Sequence, residues 1–201
     1  MLYEIAHFLR SHCAFLWEWM EEANALAFAL RYRGGLAQVG HILAEESRNG
    51  LSIQVGLKED AKALAEFFAR QPESDFEFFR PHAFDEGTLR KLLKRKSFLI
   101  YLVKKEGEIV GYFFLRSFVH GQCYLGKMVD HERQGQGIGK LMCLTAMKIA
   151  RTIGLRMFES ISKRNMASMR SSAAVLRQVI VEELEGDDLL IEDLPYDKVD
   201  I

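Results

Sequence analysis

Val129-Asp130-His131-Glu132-Arg133-Gln134-Gly135-Gln136-Gly137-Ile138-Gly139-Lys140 is the stretch whose reading decides this chain. An apolar strand, Cys123 to Val129, runs into it. An amphipathic helix runs out of it, with Ile138, Leu141, Met142, Thr145, Ile149 and Ile153 at helical spacing and Gly154 as its stop. Glycine at alternate positions leaves the backbone open to close approach, so several N–H groups can converge on one concavity. The helix start adds its unpaired N–H groups and the positive end of its dipole. Such a concavity suits a pyrophosphate.

Two phosphate-binding loops of known spacing do not fit. A dinucleotide fingerprint needs glycine where Lys140 stands and a place near the start of a βαβ unit. A Walker A loop needs glycine at Gln134 and serine or threonine at Leu141. The pattern that fits is Gln/Arg-x-x-Gly-x-Gly, here Gln134 to Gly139, which resembles the acetyl-CoA loop of the GCN5-related N-acetyltransferase (GNAT) family.

Composition narrows the class. The chain has 201 residues, 49% hydrophobic and 27% charged, enough for one good core. Its formal net charge of −1 provides no global field for nucleic acid, and Lys91 to Lys96 is the only basic cluster. Cys13, Cys123 and Cys143 are odd in number and lack Cys-x-x-Cys spacing, which argues against a disulfide framework or a zinc site and suits a reducing cytoplasm. No secretory signal is visible, and the most apolar stretch, Ala23 to Leu30, is too short to span a bilayer.

Residues 1–50 read as a helical extension. Ile5, Leu9, Cys13, Leu16 and Met20 share one face; Gly34-Gly35 breaks the pattern, and Leu36, Val39 and Leu43 resume it. Phe15, Trp17, Trp19 and Phe28 make the segment aromatic. It is expected to pack on the following domain or across a homodimer interface. A membrane-surface helix is disfavoured because Glu18, Glu21 and Glu22 would repel anionic lipid.

Residues 51–201 read as the catalytic domain. Leu51 to Leu57 alternates as a half-buried strand, and helices follow around Leu64, Phe67 and Phe68 and around Leu89, Leu92 and Leu93. The aromatic stretch from Pro72 to Phe84 separates them. Lys94-Arg95-Lys96 reads as a helix C-terminus complementing its dipole. Phe98 to Val103 is apolar on both faces, as a central strand should be, and opens a three-stranded meander through Ile109 to Phe118. After the loop and its helix come a strand from Arg156 to Ile161, a short helix from Asn165 to Val175, and a closing hairpin, Val179 to Leu184 with Leu189 to Leu194.

This order of elements also resembles the GNAT fold over roughly residues 51–194: a mixed α/β (α+β) architecture with a splayed central sheet flanked by helices. Asn165-Met166-Ala167-Ser168 is similar to the family's Asn-x-x-Ala/Ser segment. The resemblance implies acetyl-CoA as acyl donor and no metal. It places Met128 and Val129, after Lys127, beside the pantetheine. It puts the backbone N–H groups of Gln134, Gly135, Gln136, Gly137, Ile138, Gly139 and Lys140 under the pyrophosphate, with Asn165 and Ser168 facing the cofactor arm.

Acyl transfer needs reactants held in line, a polarised carbonyl, a neutral amine and a proton for the departing thiolate. Where many family members carry a tyrosine for that proton, this chain has Ser172. The glutamate base used by some members is also missing from its place near Cys123. Glu159, His120 and His82 are the candidate bases, and Glu159, alternating with Phe158, also reads as a solvent-facing strand residue. His82 follows Pro81 in the aromatic stretch, which the resemblance makes a wall of the acceptor pocket.

The expected function is N-acetylation of a small-molecule amine by direct attack in a ternary complex. An aromatic loop with Arg80 and His82 suits an amino sugar or a nucleotide-linked amino sugar. Two alternatives stand beside it: O-acetylation of a sugar, for which His82 or Glu159 would be indispensable, and a catalytically silent CoA-binding domain.

Overall fold

A computed structural model of the chain describes residues 14–196, and their side chains from residue 18 onward. Ile5, Leu9 and Cys13 lie outside the described residues. The elements are α1 (Ala14–Arg31), α2 (Arg33–Leu36), α3 (Val39–Glu46), β1 (Leu51–Val55), α4 (Ala61–Ala69), α5 (Glu86–Leu92), β2 (Phe98–Lys105), β3 (Glu108–Ser117), β4 (Gln122–Val129), α6 (Ile138–Ile153), β5 (Arg156–Ser162), α7 (Met166–Ala173), β6 (Leu176–Glu183) and β7 (Asp188–Pro195). The seven strands form one mixed sheet in the order β1-β2-β3-β4-β5-β7-β6. Every neighbouring pair is antiparallel except β4 and β5.

The double-sided apolar pattern of β2 has a direct cause. Tyr101 and Val103 enter the core shared with α6, while Ile100 and Leu102 enter a second core beneath α4 and α5. Alternation along a strand sends successive side chains to opposite faces, so a strand buried on both sides must be apolar throughout.

The N-terminal helices belong to the first of these cores. Phe28, Val39, Ile42 and Leu43 pack with Tyr101, Phe113 and Met142. Polar contacts fix their orientation: Asn24 donates to the Ser117 carbonyl at 3.1 Å and accepts from the Val119 N–H at 3.0 Å.

Two local expectations need correction. The helical run does break around Gly34-Gly35, but at Tyr32 and at Ala37-Gln38, while the glycines themselves lie inside the four-residue α2. A Cβ on Gly35 would sit 2.5 Å from the Ile153 Cα and 2.7 Å from the Thr152 carbonyl, so the glycine is there to let α2 press onto the end of α6. Lys94-Arg95-Lys96 does more than end a helix. Arg95 turns inward to Glu21 and Glu22, 3.6 Å from each, and Glu21 also binds Arg116, so these charges dock α1 onto the domain.

Candidate functional site

β4 and β5 pair over only three residues, Gln122 with Arg156, Cys123 with Met157 and Tyr124 with Phe158. Beyond Tyr124, β4 stays on β3 as far as Val129, and β5 stays on β7 as far as Ser162. The two strands therefore diverge into a fork. Backbone groups of β4 that face the fork have no strand opposite them, and a ligand that enters can pair with them. A cleft of about 720 Å³ opens here, lined by Leu125 to Val129, by Glu159 to Ser162, by the glycine loop and by Asn165 to Ser168.

The loop closes the top of the fork. Asp130 anchors it: its carboxylate takes Arg70 Nε at 2.9 Å and Nη2 at 2.7 Å, and accepts from the Glu132 N–H at 3.1 Å. Gly135 and Gly137 have φ of 76° and 84°, a left-handed backbone that side chains with a Cβ avoid, and a Cβ at either would meet nothing within 4 Å. Gly137 is also the N-cap of α6. The first-turn N–H groups of Ile138, Gly139 and Lys140 have no carbonyl to pair with inside the helix. Gly139 faces α7, where a Cβ would make an ordinary contact, 3.4 Å from the Ser171 Cβ. Lys140, Arg133 and Arg170 line the same cleft, so the donor set is cationic and rich in free N–H groups. It fits the pyrophosphate of a CoA ester.

Of the loop and arm residues expected to hold the cofactor, Met128, Val129, Gln134, Gly135, Gly137, Ile138, Gly139, Lys140, Asn165 and Ser168 all line this cleft. Gln136 does not. Its amide reaches back to the Glu132 carbonyl at 3.4 Å, and it borders a second hollow beside Arg48 and Lys105. The Gln134 amide donates to Asp75 at 3.1 Å, and His131 lies 3.1 Å from the same carboxylate. Asn165 caps α7 by accepting from the Ser168 N–H at 3.1 Å.

The three candidate catalytic residues fall into two places. Glu159 and Ser172 come together with a residue the sequence reading passed over, Lys127. Glu159 is not solvent-facing but 2% exposed, on the same face of β5 as Met157 and Ile161. The Lys127 ammonium lies 3.0 Å and 2.9 Å from the two Glu159 oxygens and 2.9 Å from the Ser172 hydroxyl, so all three of its donors are engaged. Ser172 Oγ lies 3.0 Å from Glu159 Oε1 and 3.5 Å from Cys143 Sγ, is fully buried and does not line the cleft.

Burial works against the Lys127 charge, but the neighbouring Glu159 carboxylate and Cys143 outweigh it and hold the ammonium above its ordinary pKa. Asp193 on β7 is part of the same buried neighbourhood. Burial, and then the Glu159 charge, push its carboxyl up to about 8. The Asp193 Oδ1 accepts from Gln178 at 3.1 Å, and its Oδ2 has no partner. The legible signal was a charge at an inward position on each strand, since Lys127 shares its face with Cys123 and Leu125.

His82 is elsewhere. Its ring sits among Phe68, Phe84, Phe98, Phe114 and Tyr112, in the second core, and it does not line the cleft. Nδ1 lies 2.9 Å from the Ala83 carbonyl, which can only accept, so Nδ1 carries the proton. Nε2 then accepts from the Tyr112 hydroxyl at 2.8 Å. Burial lowers its pKa and keeps the ring neutral.

Phe78 and Phe79, from the aromatic stretch, wall the cleft mouth. Arg164 spans that mouth: it stacks on Phe78 with 5.3 Å to the ring centroid, lies 3.3 Å from Glu77, and reaches Asp187 in the β6–β7 turn at 3.5 Å. Among the described residues, no group of three or more His, Cys, Asp or Glu is placed to hold a metal ion. No described helix is long and apolar enough to cross a membrane.

Comparison with known proteins agrees with this architecture. Residues 61–171 match the family described as Acetyltransferase (GNAT) family. Among solved structures, the GNAT domain of S. lividans PAT superposes with a TM-score of 0.62 at 14% identity, covering 72% of this chain and 90% of that one. An acetyl transferase from Salmonella typhimurium that modifies the N-terminal serine of ribosomal protein L7/L12 gives 0.59 at 19% identity, covering 75% and 98%. AAC(6')-Ib in complex with paromomycin and acetyl-CoA gives 0.57 at 13% identity, covering 74% and 94%. A search among curated proteins finds no match.

Proposed function

The chain belongs to the GNAT family of acetyltransferases, and from that footing we propose that it acetylates a small-molecule amine, of the amino-sugar or nucleotide-linked amino-sugar class, by direct attack in a ternary complex. It is an acyltransferase, and acetyl-CoA is the donor: when bound it supplies an activated acyl group with a thiolate as the leaving group. Its pyrophosphate would rest on the N–H groups of Gly135 and of Gly137 to Lys140, and its arm beside Met128, Val129, Asn165 and Ser168.

The observation that carries the small-acceptor reading is the Arg164 bridge. It ties the aromatic wall at Glu77 and Phe78 to the β6–β7 turn at Asp187, and so bounds the cleft mouth instead of leaving an open groove for a polypeptide. Phe78 and Phe79 offer flat apolar faces to a sugar ring, and Ser160, Ser162 and Arg164 offer polar contacts beside them.

Within this reading Glu159 is the group that takes the acceptor's proton, because it lines the fork while Lys127 and Ser172 fix its carboxylate. Ser172 acts through that carboxylate and not on the donor directly. His82 supports the wall by packing, held by Tyr112. A cytoplasmic setting is part of the same proposal, supported by the free, buried Cys123 and Cys143.

The test is CoA release from acetyl-CoA across a panel of amino sugars, nucleotide-linked amino sugars, aminoglycosides and peptides, repeated with Glu159→Gln. Turnover of an amino sugar is expected, with kcat/KM falling roughly 100-fold or more in the variant while acetyl-CoA affinity holds. Turnover of peptides alone would refute the acceptor class. An undiminished Glu159→Gln would remove the assigned base.

A further inference from the structure

Asp193 is a second buried carboxyl beside the fork. It stands on β7 opposite Met157 of β5, and Gln178 of β6 flanks it on the other side. Residues paired across two strands share a face, and so do residues two apart on one strand. Asp193, Met157 and Glu159 therefore project to the same side of the sheet, with Asp193 and Glu159 as diagonal neighbours. Both are 2% exposed, and their carboxyls lie within hydrogen-bonding reach of each other.

Their surroundings are unequal. Glu159 takes the Lys127 ammonium on both oxygens and the Ser172 hydroxyl at 3.0 Å. Asp193 has one donor, Gln178 Nε2, 3.1 Å from Oδ1, and its Oδ2 has no partner among the described residues. Two carboxylates this close cannot both stay ionised, and the proton belongs on the one with fewer donors. A proton on Oδ2 also gives that orphaned atom a partner, because it can then donate to Glu159.

We propose that Asp193 is a positioning residue for the acetyl transfer: its neutral carboxyl donates from Oδ2 to Glu159 and, with Lys127 and Ser172, holds that carboxylate as the anion that takes the amine's proton. This role rests on Glu159 being the base. Loss of the Asp193 proton sets two anions against one ammonium and releases the hold. The titratable groups facing the pair are Lys127 and Cys123 from β4 and Cys143 from α6, while α7 contributes the Ser172 hydroxyl and β6 the Gln178 amide. Lys127 is held above its ordinary pKa and burial pushes both thiols up, so Asp193 is the member whose charge changes just on the alkaline side of neutrality. An asparagine copies the neutral acid, accepting from Gln178 through Oδ1 and donating to Glu159 through Nδ2, but it cannot ionise.

Carbon-13 NMR of the full chain, labelled at its aspartate carboxyls, reads this proton without any acceptor; loss of a signal in Asp193→Asn assigns it. The Asp193 signal should keep its protonated position at neutral pH and move only on the alkaline side, and Glu159→Gln should bring its titration to lower pH. An Asp193 ionised at neutral pH, or a titration that Glu159→Gln leaves in place, overturns the shared proton even if Glu159 is the base. The pH profile of kcat with an accepted amine then reads the role. Asp193→Leu should lower kcat roughly tenfold or more with the KM for acetyl-CoA unchanged. Asp193→Asn should recover most of that loss and remove the alkaline decline of the wild type. Equal profiles for the wild type and Asp193→Asn, or a leucine variant as active as the wild type, overturn the positioning role. A fully active Glu159→Gln overturns the base assignment and this role with it, while the NMR titration still decides the shared proton.

Discussion

Replacing Lys127 by methionine removes the cation from the base of the fork and keeps most of its apolar volume. The side chain is 8% exposed and its partner Glu159 is 3% exposed, so water does not take over the lost contacts. Three hydrogen bonds vanish together, two to Glu159 and one to Ser172. Removing one member of a buried pair strands the other, which costs about 3–5 kcal/mol, far more than an exposed ion pair is worth. For a domain of this size each kcal/mol lowers Tm by about 2–4 °C, so the variant should melt roughly 6–20 °C lower. The same principle makes the reverse claim for the pair. Lys127→Met/Glu159→Met together removes both charges and should recover much of the loss. Urea denaturation of the wild type, both single variants and the double variant closes the cycle. A Lys127→Met loss below about 1 kcal/mol, or a double variant no more stable than the singles, would refute the buried clamp.

His82 and Asp193 should give opposite pH dependences. The His82 pKa is lowered in the fold from 6.5, so below that value the unfolded chain takes up a proton first, and stability is lost as pH falls. Thermal melts of His82→Phe between pH 7 and pH 5 should show a flatter decline than the wild type, and an equal slope would contradict the assignment. The Asp193 carboxyl is raised from 3.8 to about 8, so the folded state holds a proton that the unfolded state releases, and stability is lost as pH rises through that window. Asp193→Asn should flatten that loss in melts from pH 5 to pH 9; an unchanged slope would place the proton elsewhere. Gly35→Ala should destabilise by about 1–3 kcal/mol through its clash with the α6 backbone, whereas Gly34→Ala, with open space at its Cβ, should be neutral or slightly stabilising. Equal effects in denaturant titrations would contradict the close approach of α2 and α6.

What was legible before the structure was what is local in sequence. Strand, glycine loop and amphipathic helix are contiguous from Cys123 to Gly154, so motif, periodicity and helix stop could be read together. The meander was equally plain, because β2 carries apolar side chains to both cores. What escaped depended on partners far along the chain. Lys127 and Glu159 are 32 residues apart and meet only because β4 and β5 diverge side by side. In sequence alone each passes for an ordinary charge, and Glu159, a candidate base, fits a solvent-facing strand position equally well. Gly35 and Arg95 were misjudged for the same reason: their partners are Ile153 on α6 and Glu21 on α1. His82 invites a catalytic reading because its aromatic stretch suggests a pocket wall, and in the fold it is half-buried against those rings, outside the cleft.

The central claim is that the fork and glycine loop form the acetyl-CoA site, and calorimetric titration of acetyl-CoA into the wild type and Gly137→Glu tests it most directly. Gly137 has φ of 84° at the start of α6, where a glutamate strains the backbone and sets a carboxylate against the pyrophosphate. Saturable 1:1 binding by the wild type, lost in a variant that still folds, is the predicted result. Equal binding by both proteins, or none by the wild type, would contradict the placement of the donor in this fork.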